Sequence, residues 1–394
     1  MQNTWIDDAS WVEADVIRSR RYLHRHPELS FQEQATSDYI YDKLVSYGII
    51  NIQRSVGNGH SVIARIEGVT NKGPTIALRA DMDALPIEEE TDLPFKSVHS
   101  GKMHACGHDA HTAILLGVAN LMQHKKNEFH GTIVFIFQHG EEVKPGGAKS
   151  IMESGCLDDV DEIYGLHVDP QLNIGEMSYS YDYSSASSDS IQIAVQGKGG
   201  HASRPQEAVD SVIIAAEIIT NLQTLISRNL DPFKPAVLTF GSVQAGGTAK
   251  NIIADQALIY GTLRTFSENI RLTIKEKFIK MVEAIALMNE GEVSINYQDG
   301  YPALLNNKEI VKQAVSVIKT QGAFKKVFER SPSLIGEDFA YYAQEIPGAF
   351  FQLGTSDPNF EERYPLHHPK FNIKEAALLK GVQLFISILS DRLN

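Results

Sequence analysis

Cysteine is scarce in this sequence, with only Cys106 and Cys156 among 394 residues. Two cysteines cannot build the disulfide framework that stabilises small secreted domains. The first twenty residues lack the basic start and apolar run of a signal peptide. No later stretch approaches the roughly 18 apolar residues of a membrane-spanning helix. We therefore expect a cytoplasmic protein with no membrane partner.

Positive charge is also in short supply. The chain has 36 Lys and Arg against 49 Asp and Glu, for a formal net charge of −13. Because phosphate-binding surfaces are basic, this balance argues against a nucleic-acid partner. The hydrophobic content of 43% and the charged content of 22% are those of a folded soluble protein. The length exceeds one ordinary core and predicts two domains.

Helical and strand-like patterns alternate in the first half of the chain. Helical patterns cover residues 8–26, 32–47 and 108–124, and strand-like runs cover residues 61–66, 75–79, 132–138 and 162–167. The run at 132–138 is apolar almost throughout, as expected of a central strand. Strands that alternate with helices predict an α/β sheet that is buried on both faces.

The pattern changes after a serine-rich stretch near residue 184. Residues 191–297 then follow the β-α-β-β-α-β order of a ferredoxin-like unit. Alternation resumes with a strand at 349–353 and a helix at 374–392. We predict a discontinuous α/β catalytic domain formed by residues 1–184 and 299–394, with an inserted α+β domain at 185–298.

Histidine is concentrated in the motif HACGHDAH, residues 104–111, just before a predicted helix. Cys106 and His108 are two positions apart, so both side chains can point at one centre from a loop. A helix N-terminus and a nearby metal would favour the thiolate form of the cysteine. Taken alone, the motif fits a buried cysteine beside surface histidines equally well.

Similar clusters follow other predicted strands, where open α/β sheets build their sites. RADMDALP, FQHGEE and GLHV place potential ligands after three strands, and LHHPKF adds two histidines in a late loop. These residues are Asp81, Asp83, Glu141, Glu142, His167, His367 and His368. A solvated carboxylate pair explains one such cluster but not all of them, so the sequence predicts a metal site.

The ligand types indicate which metals fit. A thiolate with imidazoles and carboxylates suits zinc, manganese, cobalt or nickel, whereas magnesium and calcium prefer oxygen ligands alone. Paired metals of this kind lie about 3.5–4 Å apart and share a water that is acidic enough to attack at neutral pH. The adjacent carboxylates can divide the work, with Glu142 coordinating and Glu141 moving the proton.

At these residues the sequence resembles the M20 metallopeptidase family, and within it the amidohydrolase branch. That branch contains hippurate hydrolases, N-acyl-amino-acid amidohydrolases and auxin-conjugate hydrolases. The matching motifs extend almost from end to end. They are HRHPELSFQE, RADMDALP, HACGHDAHT, FQHGEE, GLHV, GKGGHASRP, GGTAKNIIA, GTLRTF, GEDFA and LHHPKF.

The resemblance implies an α/β catalytic domain with two divalent metal ions and an inserted lid that forms a dimer interface. It assigns the metal ligands to Cys106, His108, Glu142, His167 and His367. Cys106 takes the bridging position that an aspartate fills in the peptidase branches. His367 is preferred to its neighbour because the branch has His, one variable residue, then Pro.

The resemblance also assigns roles outside the ligands. Glu141 becomes the catalytic base, and Asp83 orients a ligand. His201 in the lid stabilises the oxyanion, in the active site of the partner subunit. Asn251 and Arg264 hold the substrate's carboxylate or carbonyl, although Arg264 also fits a structural salt bridge.

One departure from the branch falls in the segment that carries Glu141 and Glu142. FQHGEE carries His139 and Gly140 where the branch more often has Pro and Ala. This difference affects the local shape of the loop and the substrate preference but touches no ligand.

The predicted reaction is hydrolysis of the amide bond of small N-acyl amino acids, hippurate-like or N-acetylated, by a metal-bridging hydroxide. A metallo-exopeptidase acting on dipeptides is the alternative within the class. A metal-independent cysteine hydrolase, with Cys106 as nucleophile and His108 or His111 as base, is a second. A non-catalytic binding protein is a third. The acyl group, the amino acid and the metal stay open.

Overall fold

The computed structural model describes residues 4–70, 72–357, 359 and 363–393. It divides into two compact units. Unit 1 contains Met1–Ser184, Leu305–Pro332 and Asp338–Asn394, and unit 2 contains Ser185–Leu304 and Ser333–Glu337. Two assignments stay predictions: residues 185–298 as a lid, and the flanking segments as a catalytic domain.

The helices have the following bounds: α1 Thr4–Asp8, α2 Glu13–Arg25, α3 Gln34–Ser46, α4 His108–His124, α5 Gly147–Glu153, α6 Ser211–Asn229, α7 Glu268–Met288, α8 Lys308–Gln321, α9 Ala340–Glu345 and α10 Ala376–Arg392, with 3-10 turns at Ala9–Val12 and Pro205–Glu207. None of the helices in the described part of the chain has both the length and the apolar run that crossing a bilayer requires.

The strands have these bounds: β1 Asn51–Val56, β2 Ser61–Glu67, β3 Thr75–Asp81, β4 Thr132–Gln138, β5 Glu162–Asn173, β6 Glu176–Tyr179, β7 Tyr183–Ser185, β8 Asp189–Gln196, β9 Gly200–His201, β10 Ala236–Ala245, β11 Ile252–Ile253, β12 Gln256–Thr265, β13 Glu292–Gln298, β14 Leu304–Leu305, β15 Lys326–Glu329 and β16 Gly348–Ser356.

An eight-stranded mixed sheet forms the centre of unit 1, in the order β1-β2-β4-β3-β5-β16-β6-β15. The middle strands β4, β3, β5 and β16 are mutually parallel, so their carboxyl ends lie at one edge. Helices α4 and α10 pack on the sheet. Nearly every residue of α4 is buried, because the helix is apolar on most of its faces. The expected α/β class is confirmed.

Unit 2 has its own sheet, with the order β10-β12-β8-β13 and every pair antiparallel. Helices α6 and α7 cover it, and a separate apolar core that includes Ile193, Ile218 and Phe278 fills the space between them. Along the chain, the long elements follow the order β-α-β-β-α-β. Asp210 caps α6, since its carboxylate accepts the N–H groups of Val212 and Ile213.

Several boundaries differ from the sequence expectation. The helix expected at 8–26 is interrupted by the 3-10 turn at Ala9–Val12. The strand expected at 162–167 continues to Asn173. Strands β1, β6 and β15 were not expected; all three lie in the outer parts of the sheet, and their short sequences contain too few apolar residues to be recognised.

Candidate functional site

The parallel strands bring the predicted side chains to one edge of the sheet. Asp81 ends β3, and Asp83 follows it two residues later. Gln138 ends β4, and residues 139–142 follow directly. His167 lies in β5 opposite Gln352 of β16. Because these strands run in the same direction, the segments that leave them meet at one place.

Gly107 allows Cys106 and His108 to reach that place together. Its backbone is left-handed, with φ of +90°, and an added Cβ would lie 2.4 Å from Cγ2 of Val168. Only glycine fits such a conformation at so close an approach. The turn leaves His108 at the start of α4, and it leaves the Cys106 Sγ 3.4 Å from Nε2 of His167.

Both histidines use Nδ1 for a structural hydrogen bond. The Nδ1–H of His108 donates to the carbonyl oxygen of Asp83 at 3.0 Å and to its carboxylate at 3.1 Å. The Nδ1–H of His167 donates to the carbonyl oxygen of Val168 at 2.8 Å. A carbonyl oxygen only accepts, so Nδ1 carries a proton in both rings, and in the neutral form of each ring the lone pair is on Nε2. This is the arrangement of metal-ligating histidines.

Glu142 and His367 approach from two different segments. Oε1 of Glu142 lies 3.8 Å from Nε2 of His108 and 3.4 Å from Nε2 of His367. His367 has a left-handed backbone with φ of +65°, a conformation that costs a non-glycine residue energy. Its N–H donates to the carbonyl oxygen of Ala105 at 2.8 Å, which holds the loop against the motif that carries Cys106.

His368, the other member of the pair, is engaged elsewhere. Its ring stacks on Tyr364 with the centroids 4.6 Å apart. Its Nδ1 accepts the N–H of Lys370 at 3.0 Å. Of the two histidines, His367 is therefore the one that faces Glu142.

The donor atoms form two sets that share the cysteine. The ligand atoms of Cys106, His108 and His167 lie within 4.8 Å of one another, and so do those of Cys106, Glu142 and His367. Nε2 of His108 and Oε1 of Glu142 are buried without a hydrogen-bond partner. Such orphaned atoms are rare in folded proteins unless they bind a ligand. The five residues therefore fit a pair of divalent ions.

The electrostatics of the cluster favour added positive charge. Burial, together with the carboxylates of Glu142 and Glu141, raises the pKa of the Cys106 thiol well above its usual value. Burial alone would lower the pKa of His108, but the carboxylates of Asp81 and Asp83 raise it to about 10. Metal binding displaces protons from ligands of this kind, and the charge of the ion replaces theirs.

Glu141 lies next to the cluster without belonging to either set. Its side chain is buried, and its carboxylate is within 4.8 Å of the ligand atoms of His108 and Glu142. A carboxylate at that distance is near enough to exchange a proton with a reacting group bound there.

The carboxylate of Asp81 is held in a buried network of hydrogen bonds. It accepts from Nδ1 of His111 at 2.6 Å and from Nη1 of Arg79 at 2.7 Å. Nε2 of His111 accepts the N–H of Val168 at 2.9 Å, and burial lowers the pKa of His111 to about 4. Arg79 also donates to Asp338 at 2.6 Å.

Sequence reasoning gave no role to Arg79 or Asp338, and it named His111 only as a possible base of the cysteine-hydrolase alternative. These residues form a buried network beneath the cluster. The available signals were the quoted motifs RADMDALP, HACGHDAHT and GEDFA, which contain Arg79, His111 and Asp338 respectively.

Unit 2 brings two other predicted residues together. Strand β9 pairs with β11, so that His201 lies opposite Ile252, and the N–H of Ala202 donates to the carbonyl oxygen of Asn251 at 3.0 Å. Nδ1 of the exposed His201 accepts from the Ser203 N–H at 3.1 Å and hydroxyl at 2.7 Å. The proton of a neutral His201 is therefore on Nε2.

Arg264 has a partner within unit 2. Its Nη1 donates to the carbonyl oxygen of Leu334 at 2.7 Å, and burial lowers its pKa. The guanidinium has further N–H donors, so one backbone contact leaves capacity for a second acceptor.

Comparisons with known proteins identify a family and several relatives of this chain. The profile of "Peptidase family M20/M25/M40" matches residues 77–391. An N-acetyl-L-cysteine deacetylase of Bacillus subtilis (strain 168) is 40% identical over 375 residues, covering 94% of this chain and 86% of the relative. Thermostable carboxypeptidase 1 of Saccharolobus solfataricus is 37% identical over 377 residues, covering 95% and 94%.

A solved structure is similar over nearly the whole length. It is a dinuclear metal-binding peptidase of the M20 family from Bacillus subtilis, and it superposes with a TM-score of 0.81 at 37% identity. The match covers 97% of this chain and 98% of that one.

Proposed function

Because the chain belongs to peptidase family M20/M25/M40 and is therefore a hydrolase, we propose that it cleaves the amide bond of small N-acyl amino acids. The observation that carries the proposal is the pair of donor sets that share Cys106, with Glu141 beside them. The N-acetyl-L-cysteine deacetylase among the relatives supports an N-acylated amino acid as the substrate class.

In this proposal Cys106, His108, Glu142, His167 and His367 hold two divalent ions, which are zinc, manganese, cobalt or nickel. When bound, such ions polarise the scissile carbonyl and make water acidic enough to react at neutral pH. Asp83 keeps the proton of His108 on Nδ1, so that Nε2 stays directed at the cluster.

Glu141 moves the proton. Its carboxylate takes a proton from the attacking water and later gives it to the nitrogen of the departing amine. The buried position of Glu141 next to His108 and Glu142 supports this role. The same burial keeps bulk water away from the carboxylate of Glu141, and electrostatic interactions are stronger where bulk water is excluded.

The residues of unit 2 bind the substrate in this proposal. His201 donates its Nε2 proton to the developing oxyanion in the active site of the partner subunit, an interaction that is typically worth about 2.7–4 kcal/mol of the barrier. Asn251 and Arg264 bind the carboxylate or carbonyl of the substrate. The neighbouring positions of His201, in strand β9, and Asn251, directly before the paired strand β11, support a shared role.

A substrate panel tests the proposal. The protein is stripped with a chelator, reconstituted with zinc or manganese, and assayed against N-acetyl and N-benzoyl amino acids and against dipeptides. We expect no turnover without metal and hydrolysis of the N-acyl amino acids after reconstitution. Activity that survives chelation would contradict the metal-dependent mechanism.

The base assignment needs its own variant. Glu141→Gln is expected to fold and bind metal normally while kcat falls by at least about 100-fold, the lower end for a lost general base. Glu153→Gln, which changes an exposed carboxylate of α5, is the matched control. A Glu141→Gln protein with substantial activity would show that another group moves the proton.

An exopeptidase acting on dipeptides is the second candidate. The thermostable carboxypeptidase among the relatives supports it. The dipeptides in the panel decide between the two, since an exopeptidase would hydrolyse them with the higher kcat/KM.

Self-association through unit 2 is also part of the proposal. Strand β10 is an edge strand of its sheet and exposes Val237 and Val243. Exposed apolar edge strands readily pair with another chain. Light scattering after gel filtration should give a homodimer or a higher homo-oligomer, and Val243→Lys should shift it towards monomer. A wild-type monomer at micromolar concentration would rule this out.

We also place the protein in the cytoplasm. Both cysteines are free thiols, as expected in a reducing compartment. Detection of the native protein in a secreted fraction would contradict this assignment.

A further inference from the structure

The turn between β4 and α5 carries both Glu141 and Glu142, and we call residues 139–142 the base loop. It is held by a second segment, residues 30–33, which precedes α3. Oε1 of Glu33 accepts the N–H of Gly140 at 2.8 Å and the N–H of Phe31 at 2.9 Å. Glu33 is fully buried, with none of its surface exposed to solvent.

The same segment also holds the carboxylate that orients His108. The Ser30 hydroxyl donates to Oδ2 of Asp83 at 2.6 Å, and the N–H of Glu142 donates to the same oxygen at 2.9 Å. Ser30 and Glu33 therefore hold the base loop at two points, Ser30 through Asp83 at Glu142 and Glu33 directly at Gly140.

Gly140 and Phe31 fit closely against each other. Gly140 has a left-handed backbone with φ of +62°, and an added Cβ would lie 2.9 Å from the ring of Phe31. Phe31 is itself left-handed, with φ of +64°. A bulky residue rarely adopts this conformation unless its surroundings impose it. The hydrogen bonds to Glu33 satisfy the backbone on both sides of this contact.

His139 anchors the start of the loop. Its N–H donates to the hydroxyl oxygen of Ser61 at 3.1 Å, and the same hydroxyl lies 2.5 Å from its Nδ1. An added Cβ at Gly59 would lie 2.1 Å from Nε2 of the ring, so the imidazole fills a space that only glycine leaves. Burial lowers the pKa of His139 to about 4, which keeps the ring neutral.

From these contacts we infer that Glu33 is a positioning residue, which fixes the base loop so that Glu141 and Glu142 are held at the donor cluster. The inference rests on the proposed function for the roles of these two residues. Without an acceptor at Glu33, the N–H of Gly140 would be buried and unpaired, which is costly enough to move the loop. A displacement of about 1 Å at a reacting group can reduce the rate about 100-fold.

Two substitutions at Glu33 separate positioning from stability. Glu33→Gln keeps an oxygen that can accept both N–H groups, whereas Glu33→Leu removes it. We expect kcat within about threefold of wild type for Glu33→Gln. For Glu33→Leu, assayed at saturating metal, we expect kcat to fall about 100-fold while KM changes by less than about threefold.

The matched control is Glu28→Leu. Oε2 of Glu28 accepts the N–H of Thr36 at 2.7 Å, so this carboxylate supports α3 and not the base loop. Glu28→Leu should lower the melting temperature and leave kcat within about threefold. If it lowers kcat as much as Glu33→Leu does, or if a folded Glu33→Leu keeps wild-type kcat, the inference is overturned.

A second variant serves if Glu33→Leu does not fold. Gly140→Ala adds a methyl group against the ring of Phe31, so it shifts the loop while Glu33 is intact. We expect a kcat loss of at least about tenfold, relieved in part by adding Phe31→Ala. Wild-type kcat in Gly140→Ala would count against the inference.

A measurement of metal affinity tests the inference independently of turnover. Because Glu142 belongs to the base loop, Glu33→Leu should raise the dissociation constant for zinc by about 10–100-fold, and Glu33→Gln should not. A wild-type protein that hydrolyses nothing in the panel would defeat the proposed function alone. An unchanged zinc affinity in folded Glu33→Leu would defeat the inference alone.

Discussion

Nε2 of His108 and Oε1 of Glu142 face each other across 3.8 Å, and both atoms are buried without a hydrogen-bond partner. With a neutral imidazole, the Nε2 lone pair and the carboxylate oxygen would repel each other at this distance, so the pair favours a positive charge between them, either a proton on His108 or a metal ion. The fold nevertheless holds both, His108 through Asp83 and Glu142 through its own N–H to the same aspartate. The pair is best explained as two ligands held for an ion.

Substitution of Cys106 distinguishes a ligand from a nucleophile. Cys106→Asp replaces the thiolate with a carboxylate that still binds divalent ions, so we expect two ions per chain and a measurable kcat. Cys106→Ala should bind fewer ions and lose activity. Elemental analysis and kinetics on the same samples make the comparison. A nucleophilic cysteine would give the opposite pattern, with two dead variants and an unaffected metal content.

Asp83→Asn should weaken the site without removing a ligand. The amide can donate to or accept from Nδ1 of His108, but it no longer fixes the tautomer or adds negative charge. We expect a 10–100-fold loss in metal affinity or kcat, as is typical for partners of metal-ligating histidines. Asp92→Asn, at an exposed carboxylate, should change neither quantity. Equal effects of the two substitutions would show that Asp83 has no specific role in the site.

The stability of the protein should depend on the ionisation of Glu33. Burial, and then the charge of Asp83, raises its pKa to about 7 from an ordinary value of 4.5. A raised folded-state pKa means that the stability present below about pH 4.5 is lost as the pH rises through 7.

Glu33→Gln removes this titration, so the variant should be more stable than wild type at pH 8, by up to about 3 kcal/mol. At pH 4.5 the two proteins should have similar free energies of unfolding. Urea unfolding across this pH range makes the measurement. Parallel stability curves for the two proteins would show that Glu33 does not titrate in this window.

Asp338→Ala should destabilise unit 1 strongly. Asp338 accepts from Nη2 of Arg79 at 2.6 Å and from Nε2 of Gln138 at 2.7 Å. The side chains of Asp338 and Arg79 are both almost completely buried. Although Arg79 keeps Asp81 as a partner, the substitution leaves Nη2 of Arg79 and Nε2 of Gln138 buried without this acceptor, which typically costs about 1–3 kcal/mol for each group.

The control for this experiment is Asp159→Ala, which breaks the more exposed pair with Arg65. It should cost less than about 1 kcal/mol in the free energy of unfolding. Similar losses in the two variants would mean that the Arg79 network contributes no more than a surface ion pair.

The sequence was most informative where chemistry and periodicity coincide. The strand at 132–138 and the helix at 108–124 have the expected bounds, because long apolar segments are specified locally. Cys106, His108, Glu142, His167 and His367 were selected by motif and order, and the structure brings their ligand atoms together in two sets.

Other parts of the site could not be foreseen from the sequence. Glu33 falls at the start of the helical pattern predicted at 32–47, and its burial depends on a loop more than a hundred positions away. Arg79 and Asp338 are separated by 259 positions. No local pattern records that two distant charges will share one buried space, since tertiary packing determines it.

The position of β16 between β5 and β6 affects how the chain folds while it is being synthesised. All four strands of the unit 2 sheet lie between Asp189 and Gln298, so that sheet is complete soon after those residues leave the ribosome. The larger sheet must wait for Gly348–Ser356, and until then β5 presents an apolar unpaired edge. We expect nascent chains that stop before residue 348 to need chaperones, because an open edge of this kind recruits other strands.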